Sequence, residues 1–257
     1  MSDFKRALLQ VWYTNKAFRR NPAAAFFTLV FPIMFLVIFS VIFGNNQMRL
    51  AGGVTINVAT FYVPAIATFS VITACYTNIA MGLTFSRDAG VLKRTRGSPL
   101  PAWAFLFGRI VHSVLIALLL VAICAAFGAI FYHATLPTRT LPAFLLTLVV
   151  GASAFCALGI AMTAAIPNAD AAPAVVNASI LPLLFISNVF IPLNNPPAWL
   201  DFISKVFPVR HFADALIGSF FALNGSGLQG RDLLVVGVWG LAGLLISLRF
   251  FSWEPRI

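Results

Sequence analysis

Six long apolar segments limit what this chain can fold into more than any other feature of its sequence. A helix that crosses a bilayer needs roughly 20 residues, with about 17 to 25 usual. The segments are residues 23–43, 59–85, 103–132, 141–166, 172–191 and 233–248. Only 9% of the residues are charged, against about 25% in an ordinary soluble domain. We therefore predict an all-α polytopic membrane protein with six transmembrane helices.

An amphipathic stretch precedes the first of these segments. In residues 3–20, apolar side chains recur on one helical face, with Lys and Arg elsewhere. The apolar set is Phe4, Ala7, Leu8, Val11 and Phe18. A basic amphipathic helix beside a span lies in the membrane interface, although a plain surface helix is the alternative. We divide the chain into an interfacial helix, residues 1–22, and a six-span domain, residues 23–257.

The positions of Lys and Arg predict how the chain is oriented. With the N-terminus inside, twelve of the 17 basic residues fall on the cytosolic side. The positive-inside rule therefore puts both termini in the cytosol, together with the loop formed by residues 87–101. The net charge of +10 then reflects membrane orientation, and we expect no nucleic-acid partner.

Residues 192–232 form a long outer segment that is too apolar for a simple loop. Asn194-Asn195-Pro196-Pro197 is typical of a helix N-cap followed by proline in the first turn. Two patterns of helical spacing follow, separated by Pro208. We predict two short interfacial or re-entrant helices in the outer leaflet. The alternative is a broken seventh span, but it would carry several ionisable side chains into lipid.

The chain lacks the residue patterns of an enzyme. It has no Gly-x-x-x-x-Gly-Lys-Ser/Thr loop for phosphate and no Gly-x-Ser-x-Gly elbow, and its three histidines are scattered. Cys75, Cys124 and Cys156 lie inside apolar segments, which favours small buried hydrophobes over metal ligands. We predict no catalytic residue, metal site or cofactor on this chain.

The densest run of charge lies between the second and third spans. Residues 87–101 are Arg-Asp-Ala-Gly-Val-Leu-Lys-Arg-Thr-Arg-Gly-Ser-Pro-Leu-Pro. Val91, Leu92 and Thr95 can share one face of a short helix with basic side chains around it. Such a helix can seat in a groove of a cytosolic partner and pass movement to the flanking spans. On this hypothesis, Leu92→Asp abolishes partner-stimulated transport and leaves membrane insertion intact. A basic loop that serves orientation alone is the alternative.

Two passages resemble type-2 ABC exporter permeases. In that family an acidic residue, a Gly, Leu-Lys-Arg and a closing Pro-Leu-Pro recur between the second and third spans, as they do in residues 88–101 here. Residues 187–193, Ser-Asn-Val-Phe-Ile-Pro-Leu, resemble the family's fifth span, and Pro-Ala-Trp-Leu and Phe-Pro-Val after them resemble its outer re-entrant helices. The closest likeness is to drug-resistance permeases of the daunorubicin-exporter kind. The chain departs from the pattern at Asn188, where the family commonly has Gly, and at Asn195-Pro196.

The resemblance implies a permease subunit that pairs with a second permease copy or a related permease and with a separate ATP-binding subunit. That subunit would hold ATP and Mg²⁺. The cargo would be a hydrophobic drug or lipid-like amphiphile, exported across a bacterial cell membrane. The residues expected to couple to the ATPase are Arg87, Asp88, Gly90, Val91, Leu92, Lys93, Arg94 and Arg96.

Two other classes of membrane protein stay open as alternatives. The first is an ion-gradient-driven secondary transporter, although such proteins usually need ionisable groups at midplane depth and these spans hold almost none. The second is a structural or assembly membrane protein.

Polar side chains in two of the spans are candidates for a substrate path. The second span contributes Ser70, Thr73 and Thr77, and the fifth contributes Asn177, Ser187 and Asn188. Polar stripes in membrane helices more often hold helices together than line a path. Packing is therefore the favoured interpretation.

Overall fold

A computed structural model describes residues 3–44, 46–49, 55–98, 100–191, 196–223 and 225–254. The helices are α1 (Asp3–Arg19), α2 (Pro22–Phe43), α3 (Val58–Ile72), α4 (Asn78–Asp88), α5 (Val91–Arg96), α6 (Ala102–Tyr132), α7 (Leu141–Met162), α8 (Ala172–Phe185), α9 (Ala198–Val206), α10 (Pro208–Phe220) and α11 (Gly230–Phe250). A π-helical turn, Thr73–Thr77, joins α3 to α4. Strands β1 (Gln47–Arg49) and β2 (Thr55–Asn57) pair antiparallel, which the sequence did not predict.

The span-length helices confirm an all-α polytopic membrane protein. Among the described residues, five helices are long and apolar enough to cross a membrane: Ala25–Phe43, Val58–Asp88, Ala102–Tyr132, Leu141–Met162 and Gly230–Phe250. The predicted fifth span is helical only over Ala172–Phe185, which is 14 residues and about 21 Å long. This is shorter than a hydrocarbon core of about 30 Å. The described part of the chain thus has five span-length helices and one shorter apolar helix.

The continuous helix of α3 and α4 forms the centre of the bundle. Nearly every residue of α3 is buried, with α2 and α6 packed against it. Aromatic rings fill the contact with α2: Phe39 stacks on Tyr62 at a centroid distance of 5.1 Å and on Phe190 at 5.8 Å. The hydroxyl of Tyr62 donates to the carbonyl oxygen of Phe190 at 3.1 Å. This bond ties the chain beyond α8 to the central helix.

The last span packs on α7 through small residues. A Cβ placed on Gly240 would lie 2.8 Å from the Cβ of Ala154, and one on Gly243 would lie 2.9 Å from the backbone nitrogen of Leu158. Small residues let two membrane helices approach this closely. The outer faces of both helices carry large apolar side chains suited to lipid.

Two short helices follow α8, as predicted, and they differ in burial. α9 exposes apolar side chains such as Phe202, which is 70% exposed, as expected of a helix that dips into a leaflet. α10 is instead buried along almost its whole length, among α3, α7 and α11. Its apolar residues pack into the bundle together with the small Ala213, Ala215 and Gly218, while Arg210 and Asp214 are its less buried, charged positions. The predicted N-cap at residues 194–195 lies outside the described residues.

Candidate functional site

The charged segment contains a short helix, α5, between two long membrane helices. α4 ends at Asp88, and α5 begins at Val91, after two connecting residues. Gly90 in this turn has a φ of +70°, a left-handed conformation that glycine adopts without steric cost. α6 begins at Ala102, directly after Pro101, while Pro99 lies outside the described residues. α5 is thus joined to α4 and to α6 by short connections, so a movement of α5 is passed directly to both of these helices.

Arg87 is buried although it lies in the most charged segment of the chain. Its side chain is almost fully enclosed, and the residue is 1% exposed. The guanidinium donates to three backbone carbonyl oxygens beyond α7: Thr163 at 3.2 Å, Ile166 at 3.0 Å and Pro167 at 3.0 Å. A buried guanidinium is stabilised only when its donors find such acceptors. Arg87 therefore holds the end of α4 against the turn that connects α7 and α8.

Asp88 completes this connection. One of its carboxylate oxygens accepts from Nε of Arg87 at 3.1 Å, and the other accepts from the backbone N–H of Ala169. We call Arg87, Asp88 and the turn of residues 163–169 the brace. The brace fixes the direction in which the chain leaves α4, and so it sets the position of α5 relative to α7 and α8.

The side chains of α5 point in two directions. Leu92 is 0% exposed and packs into the core, whereas Val91 is 41% exposed. Val91 and Thr95, four residues apart, share the outer face, and the Thr95 hydroxyl donates to the Val91 carbonyl oxygen at 2.9 Å. Leu92 lies about 100° around the helix from Val91, and its full burial keeps it off the exposed surface. Placing all three residues on one partner-facing surface was therefore wrong: Leu92 anchors α5 to the bundle.

The remaining predicted coupling residues form an exposed basic surface. Lys93, Arg94 and Arg96 are all exposed. Arg94 donates to the carbonyl oxygens of Ala89 and Gly90 at 3.3 and 3.4 Å, which keeps its charge close to α5. We call Val91, Lys93, Arg94 and Arg96 the basic face of α5. It combines one apolar side chain with three cations, a composition suited to docking in a groove on another protein.

The predicted polar stripe of the second span is divided by the π-helical turn. Ser70 is fully buried, and its hydroxyl donates to the Ile66 carbonyl oxygen of its own helix at 2.8 Å. Thr73 and Thr77 lie in the turn and are partly exposed. A π-helical turn accommodates an extra residue and rotates the helix that follows. Ser70 therefore serves packing, while Thr73 and Thr77 stay accessible.

The polar residues of the fifth apolar segment are also in different environments. Asn177 is exposed on α8. Ser187 is buried, and its hydroxyl has no hydrogen-bond partner among the described residues. Asn188 has a φ of +60° and donates to Asp214 at 3.1 Å. Asn tolerates this left-handed conformation better than most other residues, which explains how it can replace the glycine common in the resembled family.

An ion-pair cluster at the α9 end of the bundle was not predicted. Arg210 donates to Asp201 at 2.9 Å and lies 3.5 Å from a carboxylate oxygen of Asp214. Lys205 pairs with Asp201, and this hydrogen bond is the main reason that the pKa of the Asp201 carboxyl is below its usual value. In the sequence, both Asp201–Lys205 and Arg210–Asp214 have the spacing of four residues that places opposite charges side by side on a helix, and this spacing could have indicated the cluster.

Comparison with known proteins identifies the family. The sequence profile of the ABC-2 type transporter family matches residues 7–221, which is most of the chain. The chain belongs to the ABC-2 type transporter family. The match includes the brace, α5, α9 and α10, so the candidate site lies within the family's own domain.

Individual relatives agree with this assignment. The chain is 25% identical over 248 residues to the putative transport permease ycf38 of Cyanophora paradoxa, covering 89% of this chain and 82% of that protein. It is 26% identical over 214 residues to the daunorubicin resistance ABC transporter permease protein DrrB1 of Streptomyces coeruleorubidus, covering 81% and 72%. It is 23% identical over 154 residues to the probable multidrug ABC transporter permease YbhR of Escherichia coli K12, covering 60% and 42%. The chain is a permease subunit of an ABC transporter.

Proposed function

We propose that this permease subunit exports a hydrophobic or amphiphilic molecule, such as a drug or lipid-like compound, across the cell membrane. The energy comes from a separate ATP-binding subunit, with which ABC-2 permeases normally work. ATP and Mg²⁺ are held on that subunit, and this chain carries no cofactor. The observation that carries the proposal is the basic face of α5, which is exposed while the opposite side of α5 is anchored by Leu92.

The proposed coupling runs through the brace. The α5 end of the bundle faces the cytosol, as the positive-inside rule predicts, and the ATP-binding subunit docks on the basic face. When the docked subunit moves α5, the short turn at Gly90 passes the displacement to α4. Arg87 and Asp88 pass it to the turn between α7 and α8. One input thus moves several membrane helices together, as a rigid-body switch requires.

The proposed substrate path lies between two permease copies. Asn177 is exposed on the apolar helix α8, and a polar amide facing lipid is unfavourable unless it meets water, cargo or another chain. Thr73 and Thr77 are accessible on the neighbouring π-helical turn, which Tyr76 links to Ser179 of α8 by a hydrogen bond of 2.7 Å. A second copy packed against this surface would enclose these polar groups within a path.

An ion-gradient-driven transporter is less well supported. Such proteins usually place ionisable groups at the middle of the membrane. From residue 102 to residue 185, which covers α6, α7 and α8, the sequence holds one acidic residue, Asp170 in the turn before α8. The basic groups in that stretch do not by themselves form a proton relay.

The test is transport in membrane vesicles. The chain is co-expressed with an ABC ATP-binding subunit of its own organism, and uptake of daunorubicin into inside-out vesicles is measured with and without ATP. We expect accumulation that requires ATP and that disappears when the phosphate-loop lysine of the partner is replaced. Accumulation that follows a proton gradient and is indifferent to ATP would contradict the proposal.

A further inference from the structure

A small cavity lies beside α1 at the α5 end of the bundle. Its volume is about 150 Å³, and its walls come from α1, α2, the central helix and α6. Arg109 and His112 of α6 are its ionisable lining residues, and none of the described residues that line it is a carboxylate. Thr14, Thr28 and Asn78 contribute neutral polar groups from the other elements. The described lining therefore presents positive charge and hydrogen-bonding groups.

Arg109 has no counterion among the residues that the structure describes. Its Nη2 donates to the hydroxyl of Ser86 at 2.7 Å, and its guanidinium lies 5.1 Å from the centre of the Phe105 ring. Gly82 makes room for the group, since a Cβ there would lie 3.3 Å from Nη1. Within the described residues, no salt bridge supplements these two contacts. Arg109 is half-buried, and a guanidinium partly withdrawn from water gains stability from an anion.

The depth of the cavity suits a lipid headgroup. Arg109 lies about 10 Å along α6 from its first residue, Ala102. α1 sits directly on α6 here, because a Cβ at Gly108 would lie 2.4 Å from the Cβ of Gln10. α1 exposes large apolar side chains such as Trp12, as an interfacial helix does. The cavity is thus covered by a helix suited to the headgroup level of the leaflet.

The apolar part of the lining suits the rest of a lipid molecule. Phe18, Ile79 and Ile116 line the cavity next to the polar groups. The ring of Phe18 packs edge-on against His112, with a centroid distance of 5.6 Å. An anionic head beside Arg109 would therefore have apolar surface next to it, where the start of an acyl chain can lie.

We infer that this cavity binds the phosphate of an anionic phospholipid headgroup from the leaflet at the α5 end. Arg109 donates to the phosphate oxygens, for which the planar fork of a guanidinium is well shaped. His112, Asn78 and the two threonines complete the polar surround. The inference does not rest on the proposed export activity, because a permease of any cargo can hold such a lipid.

The test measures which phospholipid the purified full-length protein retains. The protein in detergent is incubated with equal amounts of phosphatidylglycerol and phosphatidylcholine, and bound lipid is quantified by native mass spectrometry. We expect phosphatidylglycerol to be retained preferentially, and Arg109→Gln to lower its affinity about tenfold or more, which corresponds to about 1.4 kcal/mol. The matched control is Arg249→Gln, which neutralises an exposed arginine of α11 outside the cavity.

A second cavity variant and a competition measurement complete the test. Thr28→Phe fills the cavity without changing its charge and should cause the same loss of phosphatidylglycerol affinity. This variant tests the site independently if Arg109→Gln does not fold. Inorganic phosphate is added as a competitor to separate the two sources of the anion. Displacement of the lipid by equimolar phosphate would assign the site to the free ion and overturn the lipid assignment. Equal retention by wild type and both cavity variants, or equal loss in Arg249→Gln, would also overturn it.

Discussion

Replacing Arg87 with glutamine tests whether the brace holds the bundle together. The change removes three hydrogen bonds to the carbonyl oxygens of residues 163, 166 and 167. It also leaves the carboxylate of Asp88 without its cation. A glutamine side chain is too short and has too few donors to replace these bonds.

The expected loss follows from the burial of Arg87. Removing one partner of a buried pair costs about 3–5 kcal/mol, and the lost carbonyl bonds do not add to this independently because they belong to one network. For a chain of about 150–250 residues, 1 kcal/mol shifts the unfolding temperature by about 2–4 °C. We therefore expect Arg87→Gln to lower that temperature by about 6–20 °C. The matched change Arg94→Gln, at an exposed position of the same segment, should alter stability by less than about 0.5 kcal/mol.

The chain carries its own reporter for this assay. Cys75, Cys124 and Cys156 are free and buried, so a thiol-reactive dye labels them only as the protein unfolds. The detergent-purified protein is heated with the dye, and the midpoint of the fluorescence rise gives the unfolding temperature. If Arg87→Gln and Arg94→Gln unfold within about 2 °C of each other, the brace does not stabilise the bundle and the reasoning fails.

Three further substitutions test other parts of the structure. Leu92→Asp should unfold the protein in the same thiol assay because it buries a carboxylate in the core, whereas Val91→Asp should fold normally and reduce the ATP hydrolysis of the bound partner. Gly151→Leu should lower the unfolding temperature, at a cost of about 1–3 kcal/mol, since even its Cβ would lie 2.0 Å from the ring of Phe212. Asn188→Gly should fold, whereas Asn188→Val should cost about 1–3 kcal/mol because a β-branched residue resists a φ of +60°.

Each of these substitutions is compared with a control variant, and equal effects in the two would contradict the prediction. Equal destabilisation by Leu92→Asp and Val91→Asp would contradict the two orientations assigned to α5. Gly237→Leu is the control for Gly151→Leu, since a Cβ at Gly237 has no atom within 4 Å, and equal effects would refute the close contact between α7 and α10. Asn188→Gly and Asn188→Val both remove the bond to Asp214, so an equal loss in both would show that the bond matters and the backbone conformation does not.

The sequence predicted the long helices well because hydropathy and helix breakers both mark their ends. α2 begins at Pro22, after α1 ends at Arg19, and α5 begins after Gly90. The shorter α8 was overestimated because the apolar run continues to Ile191. The sequence signals for a shorter α8 were Pro182, which lies inside the helix, and Asn188, which lies three residues beyond its end. A left-handed residue interrupts a helix even where the side chains around it are apolar.

The brace could not be predicted, because half of it is backbone. A run of charged residues is usually solvated, and nothing local distinguishes Arg87 from Arg94. The acceptors of Arg87 are carbonyl oxygens 76 to 80 residues away along the chain, and every residue has such a group. The π-helical turn at Thr73–Thr77 likewise has no clear sequence signal, so the division of the polar stripe was visible only in three dimensions.

Site-specific cross-linking most directly tests the claim that an ATP-binding subunit docks on the basic face of α5. A photo-reactive amino acid replaces Lys93 on that face or, as a control, the exposed Arg139 in the connection between α6 and α7. The complex with the ATP-binding subunit is then irradiated in intact membranes. The account predicts a cross-linked product with that subunit from position 93 and none from position 139. A product from position 139, or none from position 93 in a complex that still hydrolyses ATP, would contradict it.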